Sequence, residues 1–166
     1  MSYTIQKAKP EDAAALIEYL KIIGGETDNL TFGAEGFPVT VEEERKFLEK
    51  QSADGRSVMF AVWEDGKIIA NAHIEALTRR LSHRAGLGIT VLKEAWGRGI
   101  GTALMELLIA HAREQGIEII ELQVRRDNAR AIRLYEKFGF VKIATYPGFM
   151  KVDGKLIDCD LMNLYL

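Results

Sequence analysis

Apolar and polar side chains alternate through YTIQKA, residues 3–8, with the two-residue period of a strand. Pro10, Glu11 and Asp12 then make a helix start, since proline is preset for a first turn and acids complement the positive helix N-terminus. That helix is expected to run to about Ile23 and to end at Gly24 and Gly25. Four glycines and Pro38 between Gly24 and Thr40 predict a long loop, and VEEERKFLEK, residues 41–50, a short helix. SVMFAVWE and KIIANAHIEAL read as strands joined through Glu64, Asp65 and Gly66 in a tight hairpin. In the second strand Ile68, Ala70, Ala72, Ile74 and Ala76 form an apolar face, and Asn71, His73 and Glu75 lie on the other.

HRAGLGITVLK is a further strand that leads into WGRGIGTALM, where Gly97, Gly99 and Gly101 stand at alternate positions. After them Ile100, Leu104, Leu107, Leu108 and His111 recur at helical spacing until Gly116. IEIIELQV, residues 117–124, is almost continuously apolar, as expected of a strand buried on both faces. Asp127 or Asn128 caps another helix that ends at Gly139, and FVKIAT and KLIDCDLMNLYL supply the last strands. Hairpins and strand–helix–strand units alternate, which predicts one α/β (α+β) domain over residues 1–166 with mixed strand directions.

Composition narrows the function. No apolar run approaches the roughly 18 residues that span a bilayer, and a net charge of −2 excludes a generally basic nucleic-acid binder. Neither a membrane nor a nucleic-acid partner is expected. Charge is nevertheless uneven: residues 1–54 carry 11 acidic and 6 basic side chains, whereas residues 78–100 carry Arg79, Arg80, Arg84, Lys93 and Arg98 against Glu94 alone. An anionic ligand is expected near the glycines and a cationic one near the N-terminal third, where Glu26 and Asp28 are candidates to meet it. The N-terminus lacks the basic and apolar segments of an export signal, and Cys159 is the sole cysteine, so a cytoplasmic location is expected. Asp158 and Asp160 flank Cys159 and disfavour its thiolate, which argues against a nucleophile. His73, His83 and His111 lack metal-ligand spacing; they are expected at the surface or on strands, and no metal is expected.

The three glycines are the chemical signal. A strand that turns through glycines into a helix N-terminus presents unpaired N–H groups and the positive end of the helix dipole to an anion such as a pyrophosphate. The Gly-Lys-Ser/Thr end of a P-loop is missing, and the dinucleotide fingerprint fails because its sixth position is Thr102 or Leu104. Some 25 residues on, RRDNARAIRLYEKFGF sets Asn128 and Tyr135 seven residues apart, about two helical turns, on nearly one side.

Together these motifs resemble the GNAT superfamily of acetyl-CoA-dependent N-acetyltransferases. The later motif of that family, Asn-x-x-Ala-x-x-Leu-Tyr-x-x-x-Gly-Phe, is matched by Asn128, Ala131, Leu134, Tyr135, Gly139 and Phe140. Its pyrophosphate loop, Gln/Arg-x-x-Gly-x-Gly/Ala, is matched by Gly99 and Gly101, with Trp96 in place of Gln/Arg and Arg98 available to supply charge. The resemblance is strong over residues 67–145, the expected acetyl-CoA-binding core, and extends in layout to residues 1–54, the expected acceptor side.

The resemblance implies a mixed sheet of about six to seven strands, splayed like a V between the central strands and flanked by about four helices. It implies that acetyl-CoA, as co-substrate, lies against Ile89, Val91, Trp96, Gly97, Arg98, Gly99, Ile100, Gly101, Thr102, Asn128 and Tyr135. A backbone N–H such as that of Val91 would stabilise the oxyanion, and Tyr135 would act as general acid toward the departing thiolate. Gln123 stands where some relatives carry a glutamate base, which leaves Glu75, Glu121 or a water chain for that role. The implied activity is transfer of acetyl to a primary amine, small or at a peptide or protein N-terminus, by direct attack in a ternary complex. A non-catalytic acyl-CoA sensor is the alternative, and a dinucleotide oxidoreductase stands third. Homodimerisation is expected from the resemblance alone.

Overall fold

The computed structural model describes residues 2–166. Strands β1 (Thr4–Lys7), β2 (Val58–Glu64), β3 (Lys67–Ala76), β4 (Arg84–Val91), β5 (Ile119–Arg125), β6 (Val141–Val152) and β7 (Lys155–Tyr165) form one sheet in the order β1-β2-β3-β4-β5-β7-β6. Helices α1 (Ala13–Glu26) and α2 (Val41–Asp54) separate β1 from β2; α3 (Ile100–Glu114) crosses from β4 to β5, and α4 (Ala129–Lys137) follows β5. All neighbours are antiparallel except β4 and β5. Those two pair only through Arg84–Ile119, Ala85–Ile120 and Gly86–Glu121, although both strands continue. Beyond Gly86 they diverge, and this is the V that the resemblance implied.

Local chemistry explains most element ends. Thr40 Oγ1 accepts from the Glu43 N–H at 3.2 Å while Glu43 Oε2 accepts from the Thr40 N–H at 2.7 Å, a capping box that starts α2. Asn128 accepts from the Ala131 N–H at 3.3 Å and starts α4. Ala61, Ala70, Ala72, Ile74, Ala85, Leu104, Met105, Leu108 and Ile120 have no solvent exposure and make the centre of the core.

Three sequence expectations fail here, each for a tertiary reason. Helix α1 does not stop at Gly24 and Gly25 but continues to Glu26. Gly24 serves close approach instead: a Cβ there would overlap the Gly33 carbonyl oxygen and lie 2.7 Å from its carbon. Gly24→Ala is therefore expected to cost about 3 kcal/mol, since backbone cannot yield as a side chain does. A urea titration with an unchanged midpoint would contradict it. Leu107, expected on the apolar face of α3, is 38% exposed, whereas His111, expected near the surface, is buried with Nε2 3.0 Å from the Arg56 carbonyl oxygen. Strand β5 is not sealed on both faces: Ile120, Leu122 and Val124 are buried, but Gln123 between them is exposed. On that face α1 packs over β3 rather than over β5, which leaves Gln123 uncovered.

Candidate active site

Register determines which backbone groups look into the V. The Leu92 N–H donates to the Ile69 carbonyl and the Leu77 N–H to the Arg84 carbonyl, so Arg84, Gly86, Gly88, Thr90 and Leu92 are the β4-side residues bonded to β3. Alternation turns the N–H and C=O of Ile89 and Val91 the other way, toward β5, at positions where β4 and β5 no longer pair. On the opposite arm the Leu166 N–H meets the Glu118 carbonyl and the Arg126 N–H meets the Asp158 carbonyl. Even-numbered β5 residues thus bond to β7, and Gln123 faces the gap with its backbone. A strand-like chain laid in the gap would meet hydrogen-bonding partners on both arms.

At the upper end of β4 the glycine turn folds back on the strand. Gly97 and Gly99 have φ of 75° and 77°, left-handed values that glycine adopts without strain. A Cβ at either would meet nothing within 4 Å. Gly99 is the N-cap of α3 and no side chain among the described residues caps the helix; the first helical bond is Ala103 N–H to the Gly99 carbonyl at 3.0 Å. The N–H groups of Ile100, Gly101 and Thr102 are consequently left for a ligand, and they lie at the positive end of a 15-residue helix. Gly101 differs from the other two glycines. Its missing Cβ would stand 3.3 Å from Leu134 Cδ2, so it brings α3 close to α4 rather than clearing space for an anion.

Two side-chain assignments change. Arg98 cannot supply charge to the turn, because its guanidinium holds both carboxylate oxygens of Glu64 at 2.6 and 3.0 Å and lies over the Tyr3 ring. Trp96 donates from Nε1 to the Val91 carbonyl at 2.8 Å and carries the Arg130 guanidinium 4.1 Å from its ring centroid. Arg130 is thus the cation beside the turn, and Lys137 is a second, with Nζ 3.4 Å from Thr102 Oγ1. Sequence reasoning missed both. The available signal was their spacing of seven on the helix that carries Asn128 and Tyr135, two turns apart on one side.

Tyr135 is 7% exposed, packed 5.8 Å from the Phe140 ring centroid, and burial pushes its phenol up to about 12. Its hydroxyl makes no hydrogen bond among the described residues, yet it is not fully occluded either. Asn128 spends its Oδ1 on the α4 cap, which leaves its amide N–H₂ group free.

The candidate bases separate by position. Cross-strand pairs put Asn71, His73 and Glu75 of β3 on the same face as Thr90, Gly88 and Gly86 of β4, and Gly86 on the same face as Glu121 of β5. Glu121 is committed to an ion pair with Arg84 at the closed base of the V, where Nε of Arg84 lies 2.9 Å from Oε2. Glu75 is exposed, also level with that closed base, and Gln123 is exposed on the open β5 arm. Glu26, which the structure places at the end of α1 rather than in the loop, accepts from the Lys93 N–H at 3.0 Å and so ties α1 to the segment after β4 rather than presenting a free carboxylate. Asp28 accepts through its carbonyl from Arg125 Nη1 at 3.2 Å. Cys159 is buried, and burial pushes its thiol up. Among the described residues no group of three or more His, Cys, Asp or Glu side chains is placed to hold a metal ion, and no helix is long and apolar enough to cross a membrane.

A parallel strand pair that opens onto backbone donors, beside an uncapped helix N-terminus with two cations, is a scaffold suited to an extended anionic ligand. The chain belongs to the acetyltransferase (GNAT) family, whose sequence pattern matches residues 26–140, and it is an acetyl-CoA-dependent N-acetyltransferase. The crystal structure of an acetyltransferase of the GNAT family from Streptococcus pneumoniae superposes with a TM-score of 0.95 at 32% identity, covering 99% of this chain and 100% of that one. The ribosomal-protein alanine N-acetyltransferase of Escherichia coli is 33% identical over 107 residues, 64% of this chain and 67% of that protein. The L-amino acid N-acetyltransferase of the same organism is 34% identical over 100 residues, 59% of this chain and 62% of that protein.

Proposed function

We propose that this enzyme transfers acetyl from acetyl-CoA to a primary amine by direct attack in a ternary complex, within one domain whose residues 67–145 hold the cofactor and whose residues 1–54 border the acceptor. The observation that carries this reading is the register that leaves Ile89 and Val91 facing the open V, in line with the uncapped α3 N-terminus. Acetyl-CoA supplies an activated thioester. The N–H groups of Ile100, Gly101 and Thr102, with Gly97 and Gly99 leaving the approach clear, bind its pyrophosphate, and Arg130 and Lys137 neutralise it. Ile89 and Val91 bind the pantetheine arm, and an N–H at the splay stabilises the oxyanion as the amine attacks. Trp96 holds the Val91 carbonyl, and Arg98 contributes through its backbone alone. Tyr135 stays protonated at neutral pH and presents its proton to the departing thiolate, while the free Asn128 amide lies two turns away on the same helix.

The family relatives support two acceptor classes, the amine of a free amino acid and the α-amine of a protein. Spermidine tests a third. Edge strand β6 leaves Val141, Ile143 and Tyr146 half exposed, which supports a homodimer. The lone, buried Cys159 is compatible with a reducing cytoplasm.

Calorimetric titration with acetyl-CoA, followed by free-thiol release against free L-amino acids, an alanine-terminated peptide and spermidine, tests the proposal. Saturable binding with amine-dependent thiol release is expected. Binding without release on any amine would favour a sensor instead.

A further inference from the structure

Resting on this reading, we propose that His73 is the general base of the reaction, taking the proton that the acceptor amine must lose. Its partner across the β3–β4 ladder is Gly88, two residues beyond the last β4–β5 pair and next to Ile89. The imidazole leans over that glycine: a Cβ on Gly88 would lie 2.9 Å from Nε2 and 3.1 Å from Nδ1, and closer still to Cε1. Gly88 therefore lets the ring cross β4 toward the gap. Gly86, the next residue on this face, has nothing among the described residues within 4 Å of a Cβ position, so the face beside the ring is open there.

The ring is also chemically free. His111 spends its Nε2 on the Arg56 carbonyl, but neither nitrogen of His73 has a hydrogen-bond partner among the described residues. Gln51 Nε2 is the one fully occluded polar side-chain atom there without a partner, so the His73 nitrogens open onto reachable space. Burial holds the imidazole below its ordinary range, so it is neutral at pH 7 and able to accept. The groups around it are few. Glu75 on its own strand favours the imidazolium; β2 presents Met59 and β4 presents Gly88; the Arg84–Glu121 pair is internally neutralised; and α1 presents Tyr19, whose hydroxyl is 2.8 Å from that of Thr90.

The step balances. The amine nitrogen bonds to the thioester carbon, and the π pair moves to oxygen. A proton passes from nitrogen, now positive and far more acidic than a free ammonium, to the imidazole. The carbonyl re-forms as the C–S bond breaks, Tyr135 covers the thiolate, and the imidazolium returns its proton to water.

The test uses the wild type, His73→Gln and Glu75→Gln, with the amine from the panel that the wild type acetylates fastest. His73→Gln should lower kcat/KM for the amine by about 10²–10⁴-fold while leaving acetyl-CoA affinity unchanged, the latter showing that the variant is folded. Activity of the wild type should fall as pH drops through the His73 pKa, because only the neutral ring accepts; His73→Gln should lose that limb. Glu75→Gln should keep the limb but move it to lower pH, since it removes a charge that stabilises imidazolium. Proton NMR of the wild type should show His73 resonances that shift on addition of acetyl-CoA. Wild-type kcat/KM with an intact limb in His73→Gln, loss of the limb in Glu75→Gln, or His73 resonances blind to acetyl-CoA would each overturn the assignment. Absence of thiol release by the wild type on every amine is a separate result. It removes the transferase reading and the base with it.

Discussion

Tyr135→Phe should lower turnover by about 10²–10³-fold and leave acetyl-CoA affinity within about twofold, because it deletes one proton and no packing surface. The phenol is buried against Phe140 and its hydroxyl is unclaimed among the described residues, so the variant keeps the ring contacts and loses only the donor. Magnitudes decide what kind of donor it is. A phenol at about 12 would not yield a proton to a free thiolate whose conjugate acid has a pKa near 8.5 in water. A hydrogen bond from the phenol to the departing sulfur, rather than full proton transfer, is enough to stabilise the leaving group. The raised phenol also works on pH dependence: the required form is the protonated one, so Tyr135 should cause no alkaline loss of activity up to about pH 10, the range in which an exposed tyrosine begins to ionise. Stopped-flow thiol release measured between pH 6 and 10 checks both statements, and unchanged turnover in Tyr135→Phe would remove the donor role.

Gly99→Val is the second large effect, and it should appear in binding. Acetyl-CoA affinity should fall by about 10–100-fold, equivalent to about 1.4–2.8 kcal/mol. At φ 77° a non-glycine residue costs about 1–2 kcal/mol, more for a β-branched one, so the turn would relax and misalign the N–H groups of the first α3 turn. Nothing among the described residues lies within 4 Å of the new Cβ, so the bulk itself falls in the space where the pyrophosphate is proposed to bind. Calorimetry and thermal denaturation separate the two contributions. A lowered Tm with undiminished affinity would mean that the glycine turn serves folding alone. Gly101→Val is a poorer probe of the anion site than the motif implies, since its side chain would press on Leu134 and disturb α4 as well.

Much of this molecule was readable before folding because its signals are local. An asparagine cap at Asn128 and the two-residue and 3.6-residue periods each depend on neighbours within about four residues. The glycine turn before α3 and the Asn128–Tyr135 spacing belong to the same class, and they sufficed to point to acetyl-CoA. Groups whose partners lie far along the chain were not readable. Arg98 looked like a free cation beside the glycines until the sheet brought Glu64 to it from 34 residues away. Nothing in the sequence singled out Arg130, which α4 sets over the Trp96 ring from 34 residues along the chain. Gly24 looked like a helix stop, because composition does not reveal that Gly33 would return to touch it.

The amino-acid sequence by itself determined most of the elements, the Asn128 cap, the glycine turn before α3 and the family, since each is written in contiguous residues. Tertiary structure alone decided where the strands part, which carbonyls and N–H groups face the opening, which charges are spent on one another, and which imidazole was left unspent above Gly88. Register is the physical reason. It is set by packing across the whole sheet, and a one-residue change would turn every one of those groups to the other side.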